Sequence, residues 1–353
     1  KYKLLYNQFL DIFKDYFSFD FDETSKVQLI PAVLISENLD RINRVLENNI
    51  DVESKKPAEL FYPYRNIKNN LHCCLFFISY TRILIRPWIS PTWTHQSFKN
   101  VNHRIYLSAT IRPYNDLERI FGVYPVKSIE FSEKTDLIKG KRMILFVSQI
   151  LTQVTTEKDK YLSQIINSFD KALLLSPSRE EIKKIKQRGL IKPFNKKIED
   201  NEIEETLAPF QDEKSAILLL TRYDGIDLIG CPMLVFWHAP TAINLQESFL
   251  GDTLGEQTII KTRTLTRIIQ GLGRCTRTDN DQTLVLLCGK EFVNVLNKRD
   301  IKNFPSQLRV EIEYGLGWSM KNSPQEIITL IDPFKRNNAN WQFAVSKILS
   351  ETT

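Results

Sequence analysis

Lys171-Ala172-Leu173-Leu174-Leu175-Ser176-Pro177-Ser178-Arg179 begins as an apolar run too short for a helix and ends on hydroxyls, a proline and an arginine. The run reads as a buried strand, and the hydroxyls after it suit the start of a helix. The pattern repeats along the chain. Runs at 143–147, 216–220, 233–237 and 284–287 are equally short and rich in Leu, Ile and Val. Helix-period stretches at 158–169, 179–188, 241–249 and 264–276 lie between them. Strands apolar at nearly every position, alternating with helices, predict an α/β domain whose parallel sheet is covered by helices on both faces.

Ligands of such sheets gather beyond the carboxyl ends of the strands, so the residues that follow each run carry the candidate chemistry. Ser108-Ala109-Thr110 follows an apolar run at 105–107. Ser176 to Arg179 offers hydroxyls ahead of a helix N-terminus, an arrangement suited to phosphate. Thr221-Arg222-Tyr223-Asp224-Gly225-Ile226-Asp227 puts two carboxylates and a glycine into one loop. Just before the last run stands Gln270-Gly271-Leu272-Gly273-Arg274-Cys275-Thr276-Arg277. On a continuous helix Gln270, Arg274 and Arg277, at i, i+4 and i+7, share one face. Each glycine costs a helix about 1 kcal/mol relative to alanine, so two of them predict that something approaches the backbone closely. The plainer alternatives are a solvated arginine-bearing helix, with Ser176 and Thr221 as caps and Asp227 as a loop stabiliser.

Composition narrows the class. The 353 residues suffice for about two domains, and 42% hydrophobic with 25% charged is ordinary globular usage. No apolar run approaches the roughly 20 residues of a membrane span. The net charge of +6 permits a nucleic-acid partner without requiring one. Five scattered cysteines and four unpaired histidines have no metal-ligand spacing, so no metal site is expected, and a reducing, cytoplasmic compartment fits best. Residues 171–197 carry nine Lys or Arg against two acidic residues, and 198–213 carry seven Asp or Glu with no basic residue. The two blocks can attract each other, or the basic one can meet nucleic acid.

Residues 1–70 read as a helical accessory or insertion region. From 71 to 85 the pattern turns β-like, and a Pro-rich segment follows with Arg82, Arg86, Trp88, Trp93, Phe98, Lys99 and Arg104. That mix can stack bases, or it can form an extended connection whose tryptophans pack inward. The chain opens on helix-period residues from Leu5 to Tyr16 without a preceding methionine, and the expectation is a segment of a longer protein.

These four segments, in this order, resemble the C-terminal motor half of superfamily II helicases, and most of all the XPD and DinG branch. Tyr106 to Ile111 resembles motif III, Leu173 to Arg179 motif IV, Thr221 to Leu228 motif V and Gln270 to Arg277 motif VI. The resemblance implies a RecA-like sheet over 126–320, the end of a first RecA-like domain over 71–125, and a C-terminal helical tail over 321–353. It implies that Arg274 and Arg277 act as arginine fingers on the γ-phosphate of ATP, with Gln270 positioning the phosphate or the attacking water. Asp224, Gly225, Asp227, Ser108 and Thr110 would couple nucleotide state to movement, and Ser176, Arg179 and Thr221 would hold the backbone of single-stranded DNA or RNA. Two departures stand out. Ile229 follows Leu228 where the branch usually has proline, and no Gly-x-x-x-x-Gly-Lys-Ser/Thr occurs. ATP and magnesium would therefore be held mainly by an N-terminal RecA-like domain of the same parent chain, and this fragment alone would be inactive. The cysteines lack the four-residue cluster of many relatives, so no iron-sulfur cluster is expected. The alternative from another class is a motor-derived module that binds nucleic acid or protein without turnover.

Overall fold

The computed structural model describes residues 2–16, 22, 26–89, 92, 95–107, 116–127, 140–153, 157–203, 206–223, 228, 230–241, 244–276, 278 and 280–336. The chain forms two compact units, Lys1–Ile129 with Ile243–Ile260, and Glu130–Ala242 with Lys261–Thr353.

In the first unit, helices Lys3–Phe13, Ala32–Glu37, Leu39–Asn49 and Ala58–Ile67 pack around a small antiparallel sheet of β1 (Gln28–Leu29), β2 (Cys74–Ile78) and β3 (Ile83–Pro87). The β-like pattern at 71–85 is this hairpin, with Phe76 opposite Ile85 and Ile78 opposite Ile83. Phe9, Ile12 and Phe13 recur at helical spacing and meet Ile42, Phe61, Tyr64 and the alternate strand residues Cys74, Phe76 and Ile78 in one core. Residues on both sides of position 70 therefore share a core. The run at 105–107, expected to close a strand, is irregular, and Ile105 and Leu107 are 85% and 89% exposed. Among the described residues no strand pairs with it. The stretch expected as a helix from 241 is helical only over Leu245–Ser248, where Asn244 and Glu247 cap each other's backbone N–H, and a π-helical turn Phe249–Thr253 follows.

The second unit is the predicted parallel sheet. Strands β4 (Lys141–Phe146), β5 (Lys171–Leu175), β6 (Lys196–Glu199), β7 (Ala216–Leu220), β8 (Met233–Phe236) and β9 (Gln282–Leu287) lie in the order β4-β9-β8-β5-β7-β6, with every pairing parallel. Side chains alternate between faces. Ile144, Leu173, Leu175, Leu218, Phe236 and Val285 enter one core with helices Gln257–Leu272 and Ser306–Lys321. Met143, Leu145, Leu174, Leu219, Val235 and Leu286 enter the other with helices Lys158–Ile166, Arg179–Gln187 and Pro324–Lys335. Strand β6 escaped the sequence pattern because only Ile198 of its four residues is buried.

The edge strand β4 is sealed by the helix Ser306–Lys321. In a parallel strand, alternate residues aim their backbone groups at the same neighbour, so 142, 144 and 146 face outward. The Arg142 N–H donates to Glu311 Oε1 (3.1 Å) and the Phe146 N–H to Ser319 Oγ (2.9 Å). Between these contacts, a Cβ on Gly315 would stand 2.0 Å from the Ile144 carbonyl oxygen. Four helix residues rise about 6 Å and two strand residues about 6.6 Å, so 311, 315 and 319 keep step with 142, 144 and 146.

Candidate functional site: the arginine helix and the strand ends

The helix expected over 264–276 runs from Gln257 to Leu272. Its last turn is drawn off the α-helical pattern. The Arg142 Nε–H takes the Leu272 carbonyl (3.1 Å), and the Arg274 N–H turns back to the Gly271 carbonyl (3.0 Å). Arg274 consequently sits in a turn, and the single helical face proposed for Gln270, Arg274 and Arg277 holds only as far as Gln270. Arg277 lies outside the described residues. The close approach expected at the glycines is real at Gly271 and is made by the core. A Cβ there would meet Phe236 Cζ at 2.4 Å and Leu175 Cδ1 at 3.2 Å. At Gly273 nothing outside the preceding helix turn comes near; its closest atoms are the Gln270 and Ile269 carbonyl oxygens at 3.6 and 3.7 Å.

The turn brings Arg274 to the segment that follows β7. Its Nε–H donates to the Tyr223 carbonyl (3.3 Å), and the Leu228 N–H donates to the Arg274 carbonyl (3.1 Å). Asp224, Gly225 and Asp227, between those two contacts, lie outside the described residues, as do Ser108 and Thr110 and also Ile229. The Tyr223 ring stacks on Phe236 with centroids 5.9 Å apart, and its hydroxyl reaches toward the His238 carbonyl at 3.4 Å. Burial pushes its phenol well above the ordinary value.

The other candidates have local duties. Ser176 is fully buried, and its hydroxyl donates to the Ser178 carbonyl (3.2 Å). Ser178 caps the following helix by accepting from the Glu181 N–H, leaving Arg179 exposed on its first turn. The Thr221 hydroxyl and N–H both donate to Asp200 Oδ2, at 2.7 and 3.1 Å. Three cations of the basic block pair with carboxylates within the unit: Lys186 with Glu199, Arg188 with Asp159 and Lys184 with Glu181. Of the aromatic segment, Trp88 is 73% exposed, Arg104 covers the Phe98 ring at 4.4 Å, and Arg86 donates to Gln246 Oε1 (2.6 Å). Trp93 lies outside the described residues.

A cluster that the sequence pattern left unassigned stands at the carboxyl ends of the central strands. His238 follows β8, and its Nδ1 lies 3.1 Å from Glu291 Oε1, which also accepts from the Ala239 N–H (2.9 Å). Its Nε2 lies 3.9 Å from Glu181 Oε2. Burial pushes the Glu291 carboxyl up, but the Ala239 N–H, its own N–H and the His238 ring together outweigh it and hold the carboxyl below its ordinary value. The Lys184 ammonium likewise holds Glu181 low. The signal for His238 was its place, directly after the run at 233–237, where ligand sites of these sheets gather. Glu181 and Glu291 come from different elements and carry no shared spacing.

Among the described residues no group of His, Cys, Asp or Glu is arranged to hold a metal ion, and no helix is long and apolar enough to cross a membrane. No family model and no curated protein matches the chain. Among solved structures it is similar to one described as XPD_APO, with 16% identity and a TM-score of 0.49 over 85% of this chain and 67% of that one. It is also similar to one described as XPD_Helicase, with 14% identity and a TM-score of 0.45 over 85% of this chain and 59% of that one.

Proposed function

We propose that the second unit is the C-terminal motor domain of an ATP-dependent helicase or translocase acting on single-stranded DNA or RNA. The observation that carries this reading is the contact of Arg274 with the Tyr223 and Leu228 backbone, since it joins the two segments that resemble motifs V and VI. An arginine fixed to the loop that registers nucleotide state suits a finger that answers ATP and strand together. Gln270 and Arg274 are hydrogen-bond donors fitted to phosphate oxygens.

In this reading ATP and magnesium are held mainly by an N-terminal RecA-like domain, and ATP supplies the phosphoryl group whose loss drives cleft opening. The part of this chain is to stabilise charge at that phosphate through Arg274 and Arg277, and to hold the strand through Arg179 and neighbouring backbone. The exposed Ile105 and Leu107 support the view that the segment resembling motif III belongs against a sheet supplied by that other domain.

The test is nucleic-acid-stimulated ATP hydrolysis by the full-length natural protein and its Arg274→Ala variant. The expected outcome is a loss of about a thousandfold in kcat, with unfolding unchanged. Equal rates in the two proteins would refute the finger assignment, and substantial hydrolysis by the 353-residue chain alone would refute the half-site reading.

A further inference from the structure

The turn that carries Arg274 is gripped by groups with no role in the mechanism above. Arg142 and Glu311 form an ion pair at 3.1 Å whose side chains are 0% and 1% exposed. Burial pushes the Glu311 carboxyl up, against the pull of the adjacent Arg142 guanidinium. From that pair, Arg142 reaches out with Nε to the Leu272 carbonyl (3.1 Å) and with a terminal nitrogen to the Thr276 hydroxyl. The two contacts bracket Arg274 in sequence. Two of the three carbonyls between them are also captured, that of Arg274 by the Leu228 N–H (3.1 Å) and that of Cys275 by the Thr283 hydroxyl (3.0 Å). Thr276 is boxed in as well, because a Cβ on Gly140, whose φ is +78°, would stand 2.8 Å from Thr276 Cβ. Gln307 ties the assembly together by donating to the Gly140 carbonyl (2.7 Å) and to Glu311 Oε1 (3.0 Å).

Stability alone does not call for charge at this place, because an apolar pair of equal volume usually serves as well as a buried ion pair. An apolar pair cannot take a helix-end carbonyl and a hydroxyl in the next turn at once. A guanidinium can, through separate nitrogens set in one rigid plane, and a cation also suits the negative end of the helix.

We infer that Arg142, oriented by Glu311, is a positioning residue that fixes where Arg274 stands, an assignment that rests on the phosphate-sensing reading of Arg274. The clamp acts through Leu272 and Thr276 and does not touch the nucleotide. The pair is replaced together, as Arg142→Met with Glu311→Leu in the full-length natural protein, so that no buried charge is left without its partner. Amide hydrogen exchange over 273–276 is expected to quicken about tenfold or more while that of β5 and β8 stays unchanged. The kcat of nucleic-acid-stimulated ATP hydrolysis is expected to fall about tenfold or more, with KM for ATP within about twofold. Thr276→Val, which removes one contact and keeps the ion pair, should move both readouts the same way by less, and it serves if the double variant does not fold.

Unchanged exchange over 273–276 overturns the clamp, and so does faster exchange with full kcat in a protein whose Arg274→Ala variant is inactive. If Arg274→Ala is itself as active as the parent, the phosphate-sensing reading fails. The exchange measurement still decides whether Arg142 holds the turn.

Discussion

Replacing Gly271 with alanine sets two effects of known size against each other. Alanine favours a helix interior by about 1 kcal/mol over glycine. Against that, the new methyl carbon would sit 2.4 Å from Phe236 Cζ and 3.0 Å from Phe236 Cε1. Ordinary carbon contacts are about 3.5–4.0 Å, so ring and helix must part by about 1 Å. Phe236 has little room to yield. It is fully buried, stacked on Tyr223 and met edge-on by Phe292, each with centroids 5.9 Å away. Overpacking of such a site costs about 1–3 kcal/mol, so after the helix gain the net change runs from about zero to a loss of about 2 kcal/mol. Gly273→Ala is the matched control, since Gly273 stands in the turn just past the helix and its nearest neighbours are carbonyl oxygens at 3.6 and 3.7 Å, so no overpacking opposes the methyl. Chemical denaturation of both variants beside the parent, followed by tryptophan fluorescence and far-UV circular dichroism, separates the cases. A Gly271→Ala protein as stable as its Gly273→Ala counterpart would refute the close-packing account and reopen a ligand-contact explanation for that glycine.

Gly315→Ala is expected to cost about 3 kcal/mol or more, because its Cβ would meet the Ile144 carbonyl oxygen at 2.0 Å and backbone cannot step aside. Gly317→Ala, with nothing within 4 Å, should be neutral or stabilising in the same denaturation experiment. For Glu291 the folded carboxyl titrates below its ordinary 4.5. Its stabilising contribution is therefore present above that value and is lost as pH falls through the lower, folded one. Glu291→Gln should accordingly lose less stability than the parent as pH falls below the ordinary 4.5, and parallel pH profiles would count against the Ala239 and His238 contacts.

The sheet was legible because burial on both faces forces apolar residues at successive positions, and five of its six strands show that run. Strand β6 was not, since Lys196, Lys197 and Glu199 lie at an edge where water replaces a second neighbour. The helix end was misplaced for a different reason. Gly273 directly after Leu272 is a local stop signal that the helical spacing of Gln270, Arg274 and Arg277 masked, and the Leu272 carbonyl left at that end is taken by a guanidinium 130 positions earlier in the chain. The same kind of distance hid the pairing of His238 with Glu291, 53 positions apart. Ser176 illustrates the opposite limit, a hydroxyl in a suggestive place whose buried geometry commits it to its own loop.

The helix that seals β4 is a key with three teeth. Glu311, Gly315 and Ser319 each meet a different strand position by a different means, a carboxylate, a bare backbone and a hydroxyl. Slipping the key by one residue turns every tooth about 100° away from its notch. A single insertion or deletion inside 311–319 thus throws at least one tooth out of step with the others, and a chain that changes every other residue of this helix must still keep that count. Since the first tooth is also the partner of Arg142, the spacing that seats this helix on the strand also seats Glu311 against that guanidinium.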